Sequence, residues 1–123
     1  MAWTVLFDEE FAAWFETVAE GLQDEILVRA RLLQEFGPNL GRPHVDTLKG
    51  SKSPNLKELR IQHRGAPWRV IFAFDPKRSA ILLVGGDKSG DKRWYAKHIE
   101  IAESRFERHL ERLGKEADDA DQA

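Results

Sequence analysis

The chain has 123 residues, 41% of them hydrophobic and 33% charged, with a formal net charge of −2, which predicts one globular domain around one core. The sequence contains no cysteine, so disulfides and thiolate metal sites are excluded. No apolar run reaches the length of a membrane span, and the opening "MAWTVLFDEEF" lacks the basic-then-apolar order of a secretory signal, so a cytoplasmic location is expected.

In chain order, residues 3–7 (WTVLF) are rich in β-formers and predict a short strand. Asp8 can cap a helix whose first turn holds Glu9 and Glu10, where carboxylates suit the positive helix end. Phe11, Trp14, Phe15 and Val18 repeat at helical spacing, Gly21 interrupts, and Leu22, Ile26, Ala30, Leu33 and Phe36 form a second stripe closed by Gly37-Pro38. The pair predicts an antiparallel helical hairpin. Residues 37–55, with recurring Gly, Pro, Asn and Ser, predict a loop carrying Lys49 and Lys52.

Strands follow. In residues 57–63 (KELRIQH), Leu59 and Ile61 share one face, and Glu58, Arg60 and Gln62 share the other. In residues 68–74 (WRVIFAF), Arg69 lies with Ile71 and Ala73, opposite Trp68, Val70, Phe72 and Phe74. Residues 79–84 (SAILLV) are apolar throughout apart from Ser79, as in a central strand covered on both faces. The connection "GGDKSGDKRWY" (85–95) leads into a helix whose stripe is Ile99, Ala102, Phe106, Leu110 and Leu113, and Gly114 with the acidic residues after it predicts a frayed, disordered tail over 114–123. The expectation is an α+β domain over 1–113, with a small antiparallel sheet of about four strands, two N-terminal helices and a C-terminal helix. The helices should cover one face, leaving the face with Arg60 and Arg69 partly open.

The small net charge hides an uneven distribution. Residues 1–41 carry eight acids and two bases, whereas residues 42–98 carry thirteen Lys or Arg against five Asp or Glu. Such a basic middle suits a polyanion. His44, His63, His98 and His109 are scattered without ligand spacing, so neither metal nor cofactor is expected. Nucleophile-elbow, P-loop and dinucleotide patterns are missing too. What remains is a set of cations with aromatics: Arg60, Arg69, Lys88, Lys92, Arg93, Trp94 and Tyr95, with Lys49, Lys52 and Lys57 near them in sequence. Cations can hold phosphates, and aromatic rings can stack on unpaired bases. The same residue types can cut RNA without metal, since Arg stabilises a charged transition state and Lys or Tyr can move protons. Core packing at the helix start is the competing reading for Trp94 and Tyr95.

The order of elements, with "LKELRIQHRGAPWRVIFAF", "ILLVGGDKSG" and "RWYAKHIEIAESRFERHL", resembles the RelE/HigB toxin superfamily, in particular its phage-derived HigB-like branch, over about residues 3–113. The resemblance implies a RelE-like fold and the toxin of a type II toxin–antitoxin module. Its activity would be ribosome-dependent, metal-independent mRNA cleavage. Its partners would be a helix-turn-helix antitoxin, the ribosome and mRNA, with no membrane. It maps Arg60 to charge stabilisation, Lys88 to phosphate binding or proton donation, and Tyr95 to stacking or proton transfer. Arg69, Lys49, Lys57, Lys92, Arg93 and Trp94 are the implied substrate-binding residues. Two other functions share this reading: a ParE-like toxin that inhibits DNA gyrase by protein binding, and a non-catalytic RNA- or protein-binding module.

Overall fold

The computed structural model describes residues 2–51 and 55–122, and side chains through Asp119; Lys52 lies outside the described residues. The elements are β1 (Thr4–Phe7), α1 (Glu9–Phe15), α2 (Glu20–Phe36), a 3-10 turn (Gly37–Asn39), β2 (Val45–Thr47), β3 (Leu56–His63), β4 (Ala66–Phe74), β5 (Ser79–Asp87) and α3 (Trp94–Gln122). The five strands form one sheet in the order β1-β5-β4-β3-β2. β1 pairs with β5 in parallel, and the remaining pairs are antiparallel. The expected α+β class holds. The sheet gains a strand because the segment read as a loop contributes β2, whose Val45 is buried opposite Leu59.

Local chemistry accounts for the junctions. The Asp8 carboxylate accepts hydrogen bonds from the backbone N–H of Glu10 and Phe11 and starts α1. α1 ends near Glu16, and α2 begins at Glu20, so the helix break lies before Gly21 and not at it. The β3–β4 hairpin closes through Arg64 and Gly65, both at positive φ (51° and 77°), as a two-residue primed turn requires. Asp75 closes the β4–β5 turn by accepting from the N–H of Lys77 and Ser79, and its other oxygen meets His109 Nε2 at 2.9 Å.

Helices cover both faces of the sheet, in contrast to the one-sided cover expected from sequence. Phe11 and Phe15 of α1 and Leu22, Ile26 and Leu33 of α2 pack on Leu59, Ile61, Val70, Phe72, Ala80 and Leu82. Ile99, Ala102 and Phe106 of α3 pack on the opposite face, against Ile71, Ala73, Ile81 and Leu83. This explains why β5 is apolar on both sides. Between Ile71 and Phe72 the β4–β5 register slips, leaving Leu83 as an extra residue. Arg105 of α3 donates to the Leu83 carbonyl at 2.7 Å and reaches Glu10 at 3.0 Å. α3 also runs on through Gln122, where a disordered tail was expected after Leu113. Lys115, Glu116 and Ala117 are good helix formers, and one exposed glycine is a cost a long helix tolerates.

Candidate nucleic-acid site

The site grows from one cross-strand row. Arg60 of β3 pairs with Arg69 of β4, and Arg69 pairs with Gly86 of β5. All three therefore share the α3 face. α3 begins by laying Trp94 over Gly86: a Cβ on Gly86 would lie 2.8 Å from the Trp94 indole nitrogen. On the other face Trp14 covers Gly85, where a Cβ would lie 2.6 Å from the ring. The double glycine is thus strand, not turn, and it is glycine because an indole takes the place of a Cβ on each side.

Trp94 is 2% exposed and stacks on His98 at 4.1 Å. It belongs to the core and cannot stack on a base, which corrects its assignment as a substrate contact. Tyr95 divides its roles. Its ring packs on the α3-side core with its face at right angles to Trp94. Its hydroxyl faces Glu58 and Arg69. Burial, and then the Glu58 carboxylate, push the phenol above its ordinary pKa, with Arg69 opposing. At neutral pH Tyr95 is therefore protonated.

Glu58 sits at the floor of the site, with its side chain only 5% exposed. Arg60 Nη1 approaches its Oε1 at 3.3 Å, and Arg69 Nε approaches the same oxygen at 3.9 Å. Glu58 Oε2 and Arg69 Nε are buried without a hydrogen-bond partner. Arg60 also meets Asp46 Oδ2 at 3.6 Å. Asp46 accepts from Arg42 at 2.7 Å and from the N–H of Thr47 at 2.9 Å, and these bonds hold its carboxyl below the usual range. A groove of about 370 Å³ opens above, lined by Arg42, Asp46, Thr47, Lys49, Glu58 and Tyr95. Lys88 Nζ stands 5.8 Å from the centre of the Tyr95 ring.

The structure thus brings together Arg60, Arg69, Lys49, Lys88 and Tyr95. It does not bring Lys57, which alternates onto the opposite face of β3 with Leu59 and Ile61. This corrects the grouping of Lys57 with Arg60. Lys92 and Arg93 are exposed on the turn before α3 and do not line the groove. Sequence reasoning missed Glu58, Asp46 and Arg42. Alternation put Glu58 on the face of Arg60, but nothing in the sequence signalled its burial, and Asp46 and Arg42 fall in the segment read as loop.

Residues 13–107 match the family described as phage derived protein Gp49-like. This chain belongs to the phage-derived Gp49-like family. Two relatives of this Gp49-like chain come from Mycobacterium tuberculosis. The proposed toxin HigB3 is 46% identical over 98 residues, covering 79% of this chain and 84% of the relative. The proposed toxin HigB2 is 39% identical over 104 residues, and the match spans 83% of this chain and 52% of that longer protein. Among solved structures, the free E. coli toxin RelE with two arginine-to-alanine changes superposes with a TM-score of 0.60 at 15% identity, covering 85% of this chain and 98% of RelE. RelE in the archaeal RelE–RelB complex from Pyrococcus horikoshii superposes with a TM-score of 0.53 at 18% identity, over 73% of this chain and 99% of that one. At those identities the superpositions speak for a shared RelE-like fold.

Proposed function

We propose that this Gp49-like chain is the toxin of a toxin–antitoxin pair and that it cuts mRNA on the ribosome without a metal ion, in the cytoplasm. The observation that carries the reading is that Lys49 and Tyr95 line one open groove, with Lys88 beside the Tyr95 ring and Arg60 and Arg69 set against the Glu58 carboxylate at its floor. Cleavage of RNA by its own 2′-oxygen needs negative charge stabilised at phosphorus and a proton for the departing 5′-oxygen. Arg60 is the more accessible of the paired strand arginines, with its side chain 40% exposed, and it can turn from Glu58 and Asp46 to a phosphate. Arg69 is 6% exposed and acts from below, as a fixed charge against Glu58 and Tyr95. Lys49 and Lys88 hold flanking phosphates, and Tyr95 offers the proton. The names of the HigB relatives and the RelB-bound neighbour support an antitoxin partner, and a helix-turn-helix protein that covers the groove would block substrate directly.

The test maps mRNA 5′ ends after induction of the wild type and of Arg60→Ala. New 5′ ends inside translated messages are expected for the wild type, and a loss of about 100-fold or more for Arg60→Ala with unchanged melting. Intact mRNA together with a DNA-damage response would instead make this a gyrase poison. Ribosome binding with neither effect would make it a non-catalytic module.

A further inference from the structure

We propose that Glu58 is the general base of the site and that Tyr95 is its paired general acid. This rests on the ribonuclease reading above and assigns a residue that reading leaves without a role. Glu58 carries the one buried carboxylate among the groove-lining residues, its Oε2 is unpartnered, and its Oε1 is held by Arg60 at 3.3 Å. An orphaned buried carboxylate oxygen is costly unless something meets it in the working complex.

Elimination leads to the same residue. Arg42, Arg60 and Arg69 are guanidinium cations and cannot accept a proton, and Lys49 is the phosphate contact in the reading above. Asp46 is engaged by Arg42 and the Thr47 N–H, and those bonds make it a weaker base than an ordinary carboxylate. Tyr95 stays protonated, for burial and the neighbouring carboxylate both disfavour the phenolate. The Thr47 hydroxyl is too weak an acid to serve as an anionic base. Among the described residues that line the groove, Glu58 combines a carboxylate, an Oε2 without a hydrogen-bond partner and the neighbouring Tyr95 hydroxyl.

Glu58 Oε2 takes the 2′-hydroxyl proton while the 2′-oxygen bonds to phosphorus. The bond from phosphorus to the 5′-oxygen breaks, and the Tyr95 phenol protonates that oxygen as it leaves. The products are a 2′,3′-cyclic phosphate and a free 5′-hydroxyl. The proton on Glu58 then passes to the adjacent Tyr95 phenolate, which restores both groups. Arg60 and Arg69 flank Glu58 before the step, and Arg60 follows the charge to phosphorus during it.

The experiment compares wild type, Glu58→Gln, Glu58→Asp and Tyr95→Phe on programmed ribosomes, with melting curves for each protein. The message carries either the normal linkage at the cut position or one whose 5′-bridging oxygen is sulfur. A thiolate leaves without a proton, so it bypasses the acid but not the base. On the normal linkage, Glu58→Gln and Tyr95→Phe should each slow cleavage by about 100-fold or more. Sulfur should bring Tyr95→Phe to within about 10-fold of wild type and leave the Glu58→Gln defect in place. A Glu58→Gln protein that cuts the normal linkage at the wild-type rate, or that sulfur restores, overturns the assignment. If Glu58→Gln does not fold, Glu58→Asp takes its place: a deficit that sulfur leaves unchanged supports a base, and one that sulfur relieves overturns it. A wild type that cuts neither message removes the ribonuclease reading itself. A second readout needs no activity. Tyr95 is the only tyrosine, so its ultraviolet titration reports its contact with Glu58. Glu58→Gln should lower that midpoint, and an unmoved midpoint means the two groups are not paired.

Discussion

Tyr95 and Gly86 show how much one position can hold. Tyr95 packs its ring on the core and turns its hydroxyl to Glu58 and Arg69, so the aromatic that closes the helix start also reaches the groove. Its raised pKa has a consequence for stability. A group whose folded pKa lies above its unfolded value contributes fully below the unfolded value and loses that contribution as pH rises through the folded one. Wild type should therefore lose stability between about pH 9 and 11, near the ordinary phenol pKa, more steeply than Tyr95→Phe, which cannot ionise. Urea unfolding across that range measures the difference, and parallel curves would remove Tyr95 as the cause. At Gly86, any side chain meets the Trp94 indole. Gly86→Ala should cost about 1–3 kcal/mol in the same assay by forcing the indole or the strand to move.

Among the elements, α3 links the most distant parts of the chain. Arg105 caps the carbonyl freed at the β5 bulge, Arg105 and Arg108 reach Asp8 and Glu10, and His109 meets Asp75. These contacts fix the angle at which Trp94 and Tyr95 arrive over the sheet. Gly114 lies in the same helix, and a Cβ there would meet nothing. Gly114→Ala should raise helicity by circular dichroism, with up to about 1 kcal/mol gained from backbone propensity. No gain would mean that the helix frays before this point. The helical stripes were legible because a 3.6-residue period survives without tertiary context: Phe11, Leu22, Ile26, Ile99, Ala102 and Phe106 all pack as the spacing implied. β2 was not legible, because three residues cannot display a period of two and only Val45 is buried.

At the scale of the whole molecule, the basic excess of residues 42–98 becomes a groove rim of mixed charge, with Asp46 and Glu58 set among the arginines. Binding to single-stranded RNA should still depend strongly on salt. About four phosphate contacts, from Lys49, Arg60, Lys88 and one neighbour, give a slope of log affinity against log salt of roughly −3. Lys49→Ala should make that slope shallower by about 0.7, whereas Lys57→Ala, on the opposite face, should leave it unchanged. Fluorescence anisotropy with a short labelled RNA checks both, and equal effects would place the binding path elsewhere.

The sequence by itself determined the α+β class, the order of every strand and helix except β2, and the shared face of Arg60 and Arg69, because hydrophobic period and strand alternation are local properties. It also carried the family resemblance. Only the tertiary structure decided which distant groups meet: Lys88 reaches Tyr95 across a turn, and Arg60 and Arg69 close on Glu58. It placed helices on both sides of the sheet, turned Trp94 inward over Gly86, and buried Glu58 between two arginines. Burial and pairing arise from residues far apart in the chain, so no window of sequence could contain them. The acid at the floor of a basic groove is the clearest case: as a residue on β3 it is one more alternating polar position, and its character comes from Arg69, Tyr95 and the cover that α3 provides.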